Sequence, residues 1–290
     1  MKSNSYFSRV FIHLIMILLS AVCLIPFILI ISASFTGEAS LKVNGYGLIP
    51  SEFSLEAYKY IFASPHDIIN AYGVTIFITV FGTITGTLFM TMLAYPLSRD
   101  DYKYKNLFSF YIYFTMLFSG GLVPTYLLVA KYLKLKDTVW ALIMPILMSG
   151  WNVFLLRMFL KSIPMSLIEA ANLEGASEFK IFFKIIIPLG KVGIVTISLF
   201  TALNYWNDWY QSMLYIDNGN ITSLQYLLYR VMNKVNLAKE YAGSSANLEK
   251  LPDENLRMAL CVIAAGPMLV VFPFFQKYFS KGIIVGSVKG

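Results

Sequence analysis

Apolar runs of about 20 residues recur along this chain, and that is the length a helix needs to cross the roughly 30 Å hydrocarbon core of a bilayer. Phe11 to Phe35 is almost wholly apolar, and comparable stretches occupy about 72–96, 107–130, 138–160, 191–216 and 258–275. Inside lipid only helices and closed barrels satisfy their own backbone hydrogen bonds, and runs this long select helices. The expected fold is therefore all-α: a polytopic membrane protein with six transmembrane helices. Charged residues make up 13% of the 290, against roughly 25% in soluble proteins. The net charge of +7 does not point to nucleic acid, because the Lys and Arg sit in short loops between apolar runs. Cys23 and Cys261 both lie inside apolar runs, with no second cysteine or His at metal spacing. They read as small buried hydrophobes.

The first run resembles a secretory signal, but its apolar core is too long and no small-x-small cleavage site follows. It reads as an uncleaved first span over 11–35, after a cytoplasmic N-terminus at 1–10. Residues 36–71 form an external loop with a short helix, and 72–280 a core holding spans two to six. Span two is rich in Gly and Thr (Thr75, Thr79, Gly82, Thr83, Gly86), which lets helices approach closely. Ser119-Gly120-Gly121 and Pro124 interrupt span three, and two readings stand: a kink lining a pathway, or a packing kink. Span four contains Pro145, Gly150 and Asn152. A second polar loop covers 217–257, in which Leu224, Leu227, Leu228 and Val231 have the spacing of an amphipathic helix. A basic tail closes the chain at 281–290. Six spans put both termini on one side. The density of Lys and Arg favours N-in and C-in, although Lys131, Lys134 and Lys136 in one short outer loop argue against it.

No chemical engine is visible. No phosphate-binding G-x-x-x-x-G-K-[ST] loop is present, since the Gly190-Lys191 pair has Ile185 where the first Gly belongs. No catalytic constellation or metal set appears, and His13 and His66 receive no role. An ion-driven carrier would bury several ionisable groups in its spans, yet only Asp208 sits clearly within one. Two polar features remain. Span five carries Asn204-Tyr205-Trp206-Asn207-Asp208-Trp209, read either as an interfacial aromatic belt with a snorkelled acid or as a surface facing a solute path. Between spans four and five, at 161–190, lies Leu167-Ile168-Glu169-Ala170-Ala171-Asn172-Leu173-Glu174-Gly175, running on to Pro188. Good helix formers followed by Gly175 predict a short helix and a turn, then a second helical run. That helix is either an ordinary interspan loop or a plug into another protein.

Glu169-Ala170-Ala171, Gly175, Ile185 and Pro188 resemble the EAA---G---------I-LP motif of binding-protein-dependent ABC transporter permeases. The resemblance covers nearly the whole chain. Gly45 to Pro50 with Phe53 to Tyr58, Trp206-Asn207-Asp208 and the ending Gly286 to Gly290 are similar to the carbohydrate-uptake group, in its MalG-type half. Gly120 to Leu128 resembles the oligosaccharide subgroup often labelled LplC or YtcP. Glu174 stands where that group usually has Asp, and Ile187 where it has Leu.

The resemblance implies a type I importer permease fold in a bacterial plasma membrane. It implies that Glu169, Ala170, Ala171, Glu174, Gly175 and Pro188 couple the chain to a cytoplasmic ABC ATPase dimer. ATP and Mg would be bound by that partner, with no cofactor and no catalytic residue in this chain. Gly286, Lys289 and Gly290 of the tail would reach the ATPase. A homologous MalF-type permease would complete the pore, and an extracellular solute-binding lipoprotein would dock on 36–71 and 217–257. Asn152, Asn204, Tyr205, Trp206, Asn207, Asp208 and Trp209 are the candidates for lining the pore or touching a carbohydrate. A permease for a non-sugar solute is the main alternative, and an ion-coupled carrier the more distant one.

Overall fold

The computed structural model describes residues 3–242 and 254–286. Every regular element among them is a helix, and one isolated bridge pairs Thr36 with Phe53. The chain divides into two compact units, Met1–Pro65 with Leu228–Pro267 and His66–Leu227 with Met268–Gly290. Val10–Ser34, Pro65–Ser98 and Glu254–Gln276 are each long and apolar enough to cross a membrane, and three bent helix pairs bring the number to six.

In the first unit, α1 (Ser3–Ser34) exposes large apolar side chains all round from Val10 to Ile28. A helix apolar on every face belongs in lipid. The loop after it is ordered, as expected, and holds α2 (Glu38–Asn44) and α3 (Glu56–Ile61). The Phe35 ring stacks on Phe53 at 5.7 Å and on Tyr58 at 5.0 Å. The Gly37 N–H donates to the Glu52 carbonyl and the Ser54 N–H to that of Phe35. The start of α15 (Glu254–Gly286) is tied to the same loop. The Asn255 N–H donates to Glu38 Oε2 at 3.2 Å, and its amide nitrogen to the Thr36 carbonyl at 3.3 Å. The end of α1 and the start of α15 thus share one side, as they must if both termini lie on the other.

In the second unit, α4 (Pro65–Ser98) is the spine, and its small residues are where neighbours press in. The Tyr205 ring occupies the space a Cβ on Gly82 would need, and the Leu147 carbonyl oxygen would lie 2.5 Å from a Cβ on Gly86. Thr75 Oγ1 accepts the Leu224 N–H at 2.8 Å. The expected close approach along span two is realised. Leu224 opens α14 (Leu224–Ala242), whose buried Leu224 and Leu228 and exposed Tyr229 and Arg230 match the amphipathic pattern.

Three expectations need correction. Span three does not run straight from 107 to 130: α5 (Lys105–Leu117) is followed by α6 (Leu122–Leu127), extended by a π-helical turn to Tyr132, and the two meet at 110°. Phe118 is extended, and Gly121 has φ +84°, a conformation that glycine alone adopts without strain. Span five does not run as one helix to 216. α12 (Lys191–Trp206) stops, residues 207–209 break it, and α13 (Tyr210–Tyr215) follows. Cys23 and Cys261 are exposed rather than buried. They lie on apolar helices, where lipid satisfies a thiol as well as a protein core would. Span four bends by 55° between α7 (Val139–Ile143) and α8 (Gly150–Lys161), across a tight turn holding Pro145.

Polar contacts show which loops share a side. Asp137 has φ +58° and is held there: its N–H donates to the Tyr215 carbonyl, and its Oδ1 accepts the N–H groups of Asp217 (2.6 Å) and Asn218 (2.9 Å). The Asn218 and Asp217 amides hold the Asp137 carboxyl below the usual carboxylate range. The Asn70 amide nitrogen donates to the Asn220 carbonyl at 2.6 Å. Lys136 pairs with Asp217 at 2.6 Å. The lysine cluster that argued against an outer assignment is therefore partly neutralised in place. The close helix contacts yield a first prediction. Gly82→Leu should lower the melting temperature in detergent, in keeping with an overpacking cost of about 1–3 kcal/mol. Gly73→Leu, on the same helix with nothing within 4 Å of its Cβ position, should leave it unchanged.

Candidate functional site

The polar island folds into α9 (Met165–Leu173) and α10 (Glu178–Ile181), and Gly175 makes the corner between them. Its φ of +76° is left-handed. The Gly175 N–H donates to the Asn172 carbonyl and the Ala176 N–H to that of Ala171, both at 3.0 Å. This pair of bonds is a Schellman motif, which satisfies the last carbonyls of a helix and requires glycine at the corner. Ser177 then caps α10, its hydroxyl accepting the Lys180 N–H at 3.4 Å. Spacing from Ala171 to Gly175 is thus dictated by backbone hydrogen bonding, with Glu169 and Ala170 immediately before Ala171.

α9 buries one side only. Ile168 is buried and Ala171 half-buried, whereas Glu169, Ala170, Asn172, Leu173 and Glu174 are exposed, Leu173 to 91%. Ile168 joins Ile181, Phe182 and Ile186 in a core with Met90, Ala94 and Leu97 of α4 and with Val153, Leu156 and Leu160 of α8. Each such burial is worth about 1.5–3 kcal/mol against exposure to water. After α10 the helix widens into a π-turn over Phe182–Ile186, then passes through Pro188 in α11 (Ile187–Leu189). Proline has no N–H and crowds the preceding turn, so a widened turn just before it is the expected accommodation. At Gly190 the path bends by 81° into α12, and a Cβ there would lie 2.6 Å from Leu160 Cδ2.

A polar ring joins this segment to the end of α4. Arg99 donates from Nη1 to Glu178 Oε1 at 2.6 Å and to the Tyr95 hydroxyl at 3.1 Å. Its Nε and Nη2 grip the two Asp101 oxygens. The Tyr95 hydroxyl in turn donates to Glu178 Oε2 at 3.0 Å. The guanidinium holds the Asp101 carboxyl below its usual range, and the Asp101 bond in turn raises the arginine. A cavity of about 440 Å³ lies beside the ring, lined by Met92, Pro96, Tyr102, Phe179 and Phe182 as well as the polar residues. The loop at 99–105 and the 161–190 segment therefore share a side. Sequence reading treated Arg99 as one basic loop residue among several and passed over Glu178. The available signal was an acid in the first turn after a Ser cap, facing a lone Arg at a span's end.

The span-five cluster is divided by the structure. Tyr205 and Trp206 are buried, at 0% and 4% exposure. Tyr205 donates its hydroxyl to the Ile143 carbonyl at 2.9 Å, and Trp206 packs near Tyr72 at 6.4 Å. Both are buried within this chain rather than presented on its surface, and the Tyr205 ring lies where a Cβ on Gly82 would stand. Asn204, Asn207 and Trp209 are exposed, and Asn152 is half-buried in the first turn of α8, its N–H 3.5 Å from the Ser149 hydroxyl. Asp208 stands in the break after α12. Its carboxylate accepts the Gln211 N–H, and its carbonyl accepts the Ser223 hydroxyl at 2.9 Å. Of the tail candidates, Gly286 ends α15, while Lys289 and Gly290 lie outside the described residues.

Residues 102–285 match the model of the binding-protein-dependent transport system inner membrane component family. The chain is 40% identical over 270 residues to Protein LplC of Bacillus subtilis (strain 168), covering 93% of this chain and 90% of LplC. It is 39% identical over 276 residues to the polygalacturonan/rhamnogalacturonan transport system permease protein YtcP of the same organism, covering 95% and 96%. Its structure resembles a chain in the crystal structure of a bacterial ABC transporter involved in the import of the acidic polysaccharide alginate, with a TM-score of 0.77 and 31% identity, covering 96% and 98%. The corner glycine, the one-sided helix before it and these likenesses agree: the chain belongs to the binding-protein-dependent transport system inner membrane components, the multi-pass permease subunits of ABC importers.

Proposed function

We propose that this chain is the MalG-type half of the pore of an ATP-driven importer for oligosaccharides, and that α9 is the lever through which a separate ATPase works it. The observation that carries the lever is its one-sided burial. Leu173, 91% exposed beside Glu169 and Glu174, is a large apolar side chain on a polar helix face that has no cover of its own. Such a face suits a groove in a second protein, with Leu173 seated and the acids at the rim. The carbohydrate assignment is supported by YtcP, named for polygalacturonan/rhamnogalacturonan transport, and by the alginate importer.

In this reading ATP and Mg are bound by the ATPase dimer, and this chain hydrolyses nothing. Both termini and the 161–190 segment face the cytoplasm. A homologous MalF-type permease completes the pore, and a solute-binding lipoprotein docks on 36–71 and 217–257, of which 243–253 lie outside the described residues. The tail at Gly286, Lys289 and Gly290 reaches the ATPase. ATP closes its dimer, the levers follow, and the two halves rock between inward-open and outward-open states. Energy enters because ATP binds one of those states better than the other. Asn204 and Asn207, amides exposed at the end of a span, are unsuited to lipid and suit sugar hydroxyls. Trp209 and Asn152 are the remaining surface candidates, and the engaged carboxylate of Asp208 acts there through the loop it caps.

Glu169→Lys and Gly175→Pro should leave the protein inserted in the membrane and reduce uptake of radiolabelled oligosaccharide by the reconstituted complex to background. Proline at a φ of +76° also removes the corner's N–H, at a cost of roughly 3 kcal/mol or more. Leu173→Cys, in a chain with Cys23 and Cys261 replaced by alanine, should crosslink to the ATPase. Wild-type uptake by both variants, or labelling of Cys at 173 only from outside the cell, would overturn the lever. Asn204→Leu should raise KM for uptake about tenfold with ATPase activity unchanged, and an unaltered KM removes Asn204 from the solute path.

A further inference from the structure

The lever has to pass its displacement to the spans, and the structure contains one polar connection suited to doing so. α9 and α10 meet the rest of their unit in two ways. On one side lies the apolar core around Ile168, Ile181 and Phe182. At the edge of that core, where Tyr95 packs on Phe182 beside the cavity of about 440 Å³, the first turn of α10 reaches the end of α4 through the Arg99 ring. Apolar packing is non-directional and tolerates sliding. A guanidinium held by four polar contacts is directional: it fixes distance and angle together. Arg99 uses Nε and Nη2 on Asp101, and Nη1 on both Glu178 and Tyr95. Tyr95 closes the ring on Glu178 from the last turns of α4 itself. Arg99 is 13% exposed at its side chain, while Glu178 is 57% exposed. The cation is anchored to the span, and the carboxylate rides on the lever segment, two residues past the Ala176 that closes the Gly175 corner.

We propose that the Arg99–Glu178 pair, braced by Tyr95 and Asp101, is a latch that carries the motion of α9 and α10 into α4, so that Arg99 and Glu178 are positioning residues for transport. This rests on the lever reading above. The latch joins the part that grips the motor to a helix that, through Gly82 and Gly86, is in close contact with α12 and with the turn before α8. A displaced α10 then drags the spine of the unit directly, rather than through a compliant core. A pair serving stability alone would have no reason to couple hydrolysis to uptake.

The test uses the whole transporter, with partner permease, ATPase and binding protein, in proteoliposomes. Arg99→Glu and Glu178→Arg are made singly and together, with Glu169→Lys as reference. The latch predicts that each single variant retains co-purifying ATPase and basal hydrolysis. Uptake, and stimulation of hydrolysis by the loaded binding protein, should fall about tenfold in each, and the double exchange should recover most of both. Arg99→Lys, which keeps the charge but not the fork, should fall between wild type and Arg99→Glu. Wild-type coupling in the single variants overturns the latch, as does a double exchange no better than its parents. Loss of the ATPase from the single variants also overturns it, since the residues would then serve docking or folding. Should Glu169→Lys retain full uptake, the lever reading itself fails. If only Glu169→Lys abolishes uptake, the lever stands and the latch alone falls.

Discussion

A backbone inside hydrocarbon has no water to turn to, and every irregularity in this chain is shaped by that fact. The long apolar runs of the described residues are helical, and several of their breaks carry a local device that satisfies freed groups. Gly121 turns the chain after α5 in a left-handed conformation. Ser149 caps α8 after the turn at Pro145. Asp208 and Ser223 accept and donate across the break that ends α12. Pro188, which cannot donate, is preceded by a widened turn. These devices place the bends where function needs them, because an unsatisfied amide at membrane depth costs several kcal/mol and no break persists without one.

Within lipid, apolar burial distinguishes poorly between one helix neighbour and another, since the tails are as oily as leucine. Specificity comes from shape and from polar staples at the ends. Gly82 and Gly86 give shape: Tyr205 and Leu147 occupy what side chains would otherwise fill. The staples sort the loops. Asp137 with Asp217 and Asn218, and Asn70 with Asn220, collect two loops and the start of α4 on one side. Arg99 with Glu178 collects two on the other. Charge counting alone set Lys131, Lys134 and Lys136 against that arrangement. The conflict eases because Lys136 is paired with Asp217, and an ion-paired lysine is a weaker topological signal than a bare one.

Much of the plan was legible in residue order, and the misses have physical causes. The spans, the ordered outer loop, the amphipathic segment at Leu224 and the helix–corner–helix around Gly175 follow from apolar length, periodicity and cap chemistry, which are local properties. Span three was drawn without its bend because the interruption at Gly120-Gly121 shows in the sequence as a kink, while its 110° angle does not. Tyr205 and Trp206 were drawn toward the solute path because an aromatic beside Asn looks amphipathic. Tyr205 points toward Gly82, more than a hundred residues earlier, and the Ile143 carbonyl, and Trp206 toward Tyr72. The exposed cysteines reverse a rule learned in water, where an apolar thiol is driven inward. The Arg99–Glu178 pair was invisible because it is a contact between residues 79 apart, and neither partner belongs to a motif.

The one-sided burial of α9 bears on how the proposed lever is held, through one apolar and one polar connection. A helix of nine residues has too little surface to serve two masters by packing alone. Ile168 and Ala171 commit one side to its own chain, and the opposite side, with Leu173, is left for a partner. The Schellman corner satisfies the last carbonyls of α9 and fixes the turn that leads to Ser177 and Glu178. Were α9 held only by the core, force would be absorbed as side chains re-packed. Were it held only by ion pairs, it would have no hydrophobic seat to return to. The core supplies the resting position and the polar ring the direction of pull. In the proposed mechanism, motion of α9 is passed to α4 with a fixed sense, as rocking a pore half between two states requires.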